Sequence, residues 1–184
     1  MNIIAISGSL RRASLNTALL RACAGLAPAD MRIEIATLHG IPLYDGDAEA
    51  ATGKPESVVA LDQRIRAAAG VIIATPEYNF SVPGVLKNAN DWLSRKDNPF
   101  RGKRLGVLGA AAGPLGTGRA QYHLRQNLQG LEAVTMPKPE IFVGNAPSKF
   151  DAAGQLTDES TRTHIAKWLV AFAAWVDAGA ESRG

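Results

Sequence analysis

The sequence predicts a three-layer α/β fold built on a doubly wound parallel sheet of five strands in the order 2-1-3-4-5. Apolar strand-like segments alternate with amphipathic helix-like segments five times along the 184 residues. Parallel neighbouring strands need crossover connections, which helices normally supply. The segment VIIATP is continuously apolar, which is typical of a strand covered on both faces.

The first half of the chain supplies three strands and three helices. Asn2 opens the apolar run NIIAIS, and we expect a helix from about Leu15 to Leu26. MRIEIAT then alternates polar and apolar residues at the strand period of two. PESVVALDQRIRAAAG places its apolar residues on one helical face, and we expect Gly70 to end that helix. The buried strand VIIATP leads into a helix over VPGVLKNANDWLSR.

The second half repeats the alternation. It contains a strand in KRLGVLGAA, a helix over GRAQYHLRQNLQGL, a weaker strand near AVTMPKPEIFV, and a last helix from about Asp158 to Ala178. A chain of this length can bury one sizeable core but is short for two domains. We therefore expect residues 1–184 to form a single domain, with residues 178–184 as a frayed tail.

Composition and charge narrow the classes of function. The 20 basic and 17 acidic residues give a net charge of +3 and are scattered along the chain, so we expect no nucleic-acid partner. The single cysteine, Cys23, is expected to be a small core residue. No secretory leader and no apolar stretch of about 18 residues is present, so we expect no membrane association and a cytoplasmic location. The three histidines lack metal-ligand spacing, and we expect no metal site.

The loop GSLRRASLN, residues 8–16, predicts an anion site. It connects the first strand to the first helix, at the sheet edge where ligands of such folds bind. Backbone N–H groups and the helix dipole favour a phosphate there. Ser9 and Ser14 offer hydroxyls, and Arg11 offers a guanidinium suited to phosphate oxygens. The plainer alternative is that Ser14 only caps the helix and the arginines are solvated.

Two better-known phosphate motifs do not fit this chain. Only Gly8 is present where a dinucleotide-binding loop would carry three glycines. GPLGTGRA, residues 113–120, has the glycine spacing of a P-loop, but Arg119 and Ala120 replace its lysine and its hydroxyl residue. We expect these glycines to let the backbone approach a flat ligand or another chain.

The segment TPEYNFSVPG predicts a rigid loop at the same sheet edge. Pro76 stops the buried strand and Pro83 is compatible with the start of a helix. Residues 77–80 would face the site between them, and an aromatic wall with backbone donors suits a flat aromatic ligand. The alternative is that Tyr78 and Phe80 simply fill the core.

Three segments together carry a resemblance to a known family. GSLRRASLN, ATPEYNFSVPGVLKNANDWLSR and RAQYHLRQ, in this order, resemble the NAD(P)H-dependent FMN reductase family, which includes quinone and chromate reductases. The resemblance runs from Met1 to about Ala178 and implies a flavodoxin-like form of the predicted fold. It implies an enzyme that passes hydride from NADPH or NADH through bound FMN to quinones, flavins, azo compounds or chromate. The alternative is a flavodoxin-like FMN electron carrier reduced by a protein partner.

The resemblance also implies which residues bind FMN. In the first loop the phosphate would be held by Ser9, Arg11, Ser14 and Asn16. Along the isoalloxazine ring the contacts would come from Pro76, Glu77, Tyr78 and Asn79. After the fourth strand, residues 110–112 are alanines where the family often has serine or threonine, so backbone donors near Gly113 would serve the pyrimidine end. No side chain is expected to act as a catalytic acid, base or nucleophile, because the cofactor carries the chemistry.

One helix face remains open to two interpretations. RAQYHLRQ places Arg119, Tyr122 and Arg125 on one face, near Glu140 in the predicted fold. By itself this pattern could be a solvated face. The resemblance implies instead a subunit contact in a homodimer or homotetramer.

Overall fold

A computed structural model describes residues 1–181 of the chain. Strands and helices alternate along it much as predicted. The elements are β1 (Asn2–Ser7), α1 (Leu15–Leu26), β2 (Arg32–Ala36), α2 (Gly46–Thr52), α3 (Glu56–Ala67), β3 (Gly70–Ala74), α4 (Gly84–Ser94), β4 (Arg104–Ala110), α5 (Gly118–Gly130), β5 (Val134–Thr135), β6 (Ile141–Val143) and α6 (Glu159–Glu181), with a short 3₁₀ turn at Ala146–Ser148.

The sheet is parallel throughout and has the predicted order, β2-β1-β3-β4-β5. The fifth strand is split into two short pieces. β5 pairs with β4 at Arg104 and Leu105, and β6 pairs with the other end of β4, from Leu108 to Ala110. Pro137 and Pro139 lie between the two pieces, and neither can donate a hydrogen bond to a sheet ladder.

Strand alternation divides the core into two layers. Ile3 and Ala5 of β1 pack with Ile72 of β3 beneath α1 and α6, where the rings of Trp168 and Phe172 stack with centroids 5.3 Å apart. Ile4, Ile6, Val71 and Ile73 point the other way and pack beneath α3, α4 and α5. The sheet is therefore covered by helices on both faces, which makes three layers.

Two boundaries differ from the sequence predictions. Gly70 does not end a helix: α3 is capped at Ala68, and Gly70 is the first residue of β3. A Cβ at Gly70 would lie 2.7 Å from Val176 of α6, so close helix-to-sheet packing accounts for this glycine. α6 extends to Glu181, so residues 178–181 of the predicted tail are helical, and residues 182–184 lie outside the described residues.

Cys23 lies fully buried in the layer beneath α1 and α6. Burial disfavours the thiolate and raises the pKa of this thiol to about 12. The expectation of a core cysteine is confirmed. Among the described helices, none combines the length and the apolar character needed to cross a membrane.

Candidate functional site

The carboxyl ends of β1, β3 and β4 surround a cavity of about 350 Å³. The structure brings seven of the nine predicted cofactor-binding residues to its lining: Ser9, Arg11, Ser14, Asn16, Pro76, Glu77 and Tyr78. Ala13, Leu15, residues 110–112 and Pro147 complete it. A larger surface depression of about 660 Å³ lies around Lys54 and Asp62, but no carboxyl end of a strand borders it.

Asn79 and Gly113, the other two predicted residues, lie outside this lining. Asn79 is exposed at the tip of a turn. Gly113 is also exposed, and its carbonyl accepts hydrogen bonds from the N–H groups of Asn145 (3.1 Å) and Gly116 (3.3 Å). A cofactor contact at either residue stays a prediction.

The first loop orders its two serines by local hydrogen bonds. Ser14 caps α1, and its Oγ accepts from the N–H of Thr17 at 3.2 Å. The Oγ of Ser9 accepts from the N–H of Arg11 at 3.3 Å. Both hydroxyls therefore keep their O–H for a further acceptor. Helix geometry also leaves the first N–H groups of α1 without acceptors inside the helix.

The first loop carries positive charge that no carboxylate among the described residues neutralises. Arg11 and Arg12 are exposed, and neither forms an ion pair within the part of the chain that the structure describes. The first turn of α1 carries no acidic residue. An anion at the cavity would thus meet an unpaired guanidinium and the positive end of a helix dipole.

Asn16 is held differently from its neighbours in the loop. Its side chain is almost fully buried, with 3% of the residue exposed. The Nδ2 group donates to the carbonyl of Ala110 at 3.0 Å, and Oδ1 accepts from the N–H of Ala110 at 2.9 Å. Asn16 thereby ties the start of α1 to the end of β4.

Glu77 connects the second loop to the start of α5. Its carboxylate is paired with Arg119, whose Nε donates at 2.6 Å, and it accepts from the N–H of Ala120 at 3.1 Å. Burial acts to raise the pKa of Glu77, but the hydrogen bonds from Arg119 and Ala120 and the charge of Arg119 outweigh it and hold the pKa below its ordinary value. Glu77 is thus a fixed anion with its oxygens already engaged.

The turn after Glu77 places two aromatic side chains in solvent. Tyr78 and Ser81 exchange backbone hydrogen bonds of 3.1 and 3.0 Å, and Asn79 and Phe80 between them have φ of 50° and 64°, as in a type I′ turn. Tyr78 is 49% exposed and Phe80 63% exposed, so neither fills the core. A positive φ is unusual for a phenylalanine, and the Arg119 guanidinium lies 3.9 Å over its ring.

The glycine-rich segment after β4 packs against its own chain. Gly116 has φ of 59°, and a Cβ there would lie 3.0 Å from the backbone of Phe142 and Val143 in β6. The glycine therefore permits a close approach of two backbone segments within one molecule. The expectation that it serves a ligand or another chain has no support at this position.

The predicted face on α5 separates into two groups. Arg119 turns to Glu77 and Phe80, as described above. Arg125 instead donates to the carbonyl of Met136 at 2.8 Å and interacts with Glu140. Burial acts to raise the pKa of Glu140, but hydrogen bonds from Lys138 and Tyr122 lower it below its ordinary value.

These features fit a flat molecule that carries a phosphate group. Hydroxyls, an unpaired guanidinium and a helix N-terminus lie at one end of the cavity, and small or aromatic walls at the other. Sequence reasoning found the loops but missed the contacts that join them, from Asn16 to Ala110 and from Glu77 to Arg119. These contacts span 94 and 42 residues, and a single sequence carries no signal for them.

Comparisons with known proteins agree with this description. Residues 1–148 match a family model described as NADPH-dependent FMN reductase. An NAD(P)H-dependent FMN reductase of Pseudomonas aeruginosa is 48% identical over 177 residues, which are 96% of this chain and 95% of that protein. A quinone reductase of Escherichia coli is 42% identical over 96% of this chain and 95% of that protein. A solved flavoenzyme NAD(P)H:(acceptor) oxidoreductase of Paracoccus denitrificans has a TM-score of 0.88 at 33% identity, covering 97% of this chain and 98% of that one.

Proposed function

This chain belongs to the NADPH-dependent FMN reductase family, and we propose that its FMN occupies the cavity at the carboxyl ends of β1, β3 and β4. The chain is an oxidoreductase that uses FMN with NAD(P)H. The observation that carries the proposed location is convergence: predicted residues from two loops, 67 positions apart between Ser9 and Pro76, line one cavity with residues 110–112.

The phosphate of FMN would lie against the first loop. Ser9 and Ser14 each keep an O–H to donate, and Arg11 is unpaired within the described residues. The N–H groups of Leu15 and Asn16, the first two residues of α1, point along the helix dipole toward the same end. Charge-assisted hydrogen bonds are stronger than those between neutral groups, so the phosphate end of the cavity would supply much of the affinity for FMN.

The ring system would lie between residues 76–78 and residues 110–112. The N–H of Ala110 is used by Asn16, and the N–H of Ala111 donates to the carbonyl of Val143 at 3.0 Å. The backbone donors left on this side are therefore those of Ala112 and Gly113. We propose that they serve the polar edge of the ring, in place of the hydroxyl side chains that these alanine positions lack.

FMN, when bound, supplies hydride chemistry between a nicotinamide donor and an oxidised acceptor. The residues of this chain bind and orient the reactants, and the positive first loop favours the anionic groups that both cofactor and donor carry. We propose quinones as the main acceptor class, because four of the relatives are named quinone reductases. Free flavins, azo compounds and chromate are proposed as further acceptors. We propose a cytoplasmic location, because Cys23 is a free thiol and disulfides are rare in that compartment.

We also propose that the active form is a homodimer or a homotetramer. Four exposed apolar side chains form what we call the α5 patch: Phe80, Leu115, Tyr122 and Phe142, which are 39–64% exposed. Arg119 lies over one of these rings, and Tyr122 and Phe142 have centroids 6.3 Å apart. Exposed apolar side chains beside a binding cavity are typical of an interface, and we propose that a second copy of the chain covers them.

The oligomer is tested by placing a charge in the patch. Leu115→Asp should reduce the molecular mass measured by sedimentation equilibrium, because a buried unpaired carboxylate opposes association. Val170→Asp is the matched control, since Val170 is 61% exposed, close to the 64% of Leu115, but lies on α6. An unchanged mass in Leu115→Asp, or an equal loss in both variants, contradicts the proposed interface.

The activity itself is tested by anaerobic stopped-flow of the FMN-loaded protein. Rapid loss of flavin absorbance with NADPH or NADH, reversed by a quinone, is the expected result, and the faster donor is the preferred one. If neither donor reduces a flavin that dithionite does reduce, the chain is an electron carrier that depends on a protein partner.

A further inference from the structure

We infer that Asn16 acts through its side chain as a positioning residue, which holds the two sides of the FMN cavity at a fixed separation, rather than as a side-chain ligand of the phosphate. This inference rests on the proposed location of FMN. Asn16 lies in the loop that resembles a phosphate site, so the resemblance alone would make it a ligand. However, the hydrogen bonds of its side chain go to Ala110, at the end of β4.

The carboxamide of Asn16 completes the end of the sheet. β3 ends at Ala74, and its pairing with β4 ends at Leu108. Ala110, the last residue of β4, therefore extends beyond β3. The Asn16 side chain accepts from its N–H at 2.9 Å and donates to its carbonyl at 3.0 Å, as a neighbouring strand would.

This pair of bonds determines how far apart the two sides of the cavity lie. On one side is the first loop, which ends at the start of α1; on the other are residues 110–112, which follow β4 directly. Asn16 is the second residue of α1 and is 3% exposed. One N–H of its amide is left for any other partner.

A positioning role and a ligand role predict different effects on two flavins. Riboflavin has the ring system of FMN without its phosphate. Loss of a phosphate ligand weakens only the binding of FMN. A change in the separation of the two sides of the cavity weakens the binding of both flavins. The ratio of the two dissociation constants thus separates the roles, whatever happens to overall stability.

The experiment measures the dissociation constants of FMN and riboflavin by quenching of flavin fluorescence. Asn16→Ala should weaken both by a similar factor, about tenfold, which is the typical effect of losing two buried hydrogen bonds when part of the loss reaches the site. Arg11→Ala should weaken FMN alone. Asn98→Ala is the matched control, because Asn98 also makes two backbone hydrogen bonds, to Leu131 at 2.7 Å and Phe100 at 2.9 Å, at the opposite end of β4.

The control should lower the melting temperature and leave both dissociation constants unchanged. Rescue is provided by Asn16→Asp, since a protonated aspartic acid can donate to the Ala110 carbonyl and accept from its N–H, whereas the ionised form cannot donate. Relative to the unmodified protein, riboflavin affinity in this variant should therefore rise as the pH falls, and in Asn16→Ala it should not.

Two results would contradict the positioning role of Asn16, and a third would contradict the proposed location of FMN. If Asn16→Ala weakens FMN alone, the residue is a phosphate ligand. If it lowers only the melting temperature, the role is structural and the positioning role is rejected. If the unmodified protein binds neither flavin, the proposed location of FMN fails, which is a different outcome from either of these.

Discussion

Replacing Arg119 by methionine should destabilise the protein in a way that depends on the charge of Glu77. The Glu77 side chain is 7% exposed and that of Arg119 is 46% exposed. Removing the arginine leaves the buried carboxylate with the Ala120 N–H and ends the contact with the Phe80 ring. Exposed ion pairs contribute up to about 1 kcal/mol, whereas breaking a buried pair costs roughly 3–5 kcal/mol.

This half-exposed pair lies between those limits, so we expect a loss of about 2 kcal/mol. For a chain of this length that corresponds to a fall in melting temperature of about 4–8 °C. The sign of the pH dependence follows from Glu77, whose folded pKa lies below its ordinary value of 4.5. Its stabilising contribution is fully present above pH 4.5 and is lost as the pH falls through the lowered folded pKa.

The difference in melting temperature between the unmodified protein and Arg119→Met should thus be largest at neutral pH. It should disappear at acidic pH, where Glu77 is protonated. Thermal unfolding of the flavin-free protein, followed by circular dichroism across this range, measures it. Arg101→Met is the control, since Arg101 pairs with Glu132 and both side chains are more than half exposed, so it should cost less than about 1 kcal/mol. A difference that does not change with pH, or an equal loss in both variants, refutes the reasoning.

Three further changes test other parts of the structure. Arg11→Ala should weaken FMN binding by about tenfold or more, and Arg12→Ala, whose residue is absent from the cavity lining, should have a smaller effect when both are titrated in the same buffer. Cys23, with a pKa near 12 and no exposed surface, should resist a thiol reagent at neutral pH until the protein unfolds; rapid labelling of the native state would contradict its burial. Gly116→Val should lower the melting temperature, because valine at positive φ is strained and its Cβ would press on the Phe142 backbone; a variant as stable as the unmodified protein would show that this loop can move.

Much of the fold was predictable because its strands are short apolar runs with clear periods. β3 is buried at every residue, and β1 sends alternate side chains to opposite layers. The division of the fifth strand was not predicted, although the two prolines between Met136 and Ile141 could have indicated it. α2 was also missed, although Asp45 caps it by accepting from the N–H groups of Asp47 and Ala48.

Seven of the nine predicted site residues share one cavity, but sequence motifs could not separate their roles. Arg11 carries a charge that no described carboxylate neutralises, and we propose that the phosphate of FMN pairs with it. The side chains of Asn16 and Glu77 instead make hydrogen bonds to Ala110 and to the start of α5. A polar residue in a binding loop can therefore face the ligand or fix the loop that does. The role of such a residue depends on where a distant strand or helix ends, and only the folded chain determines that.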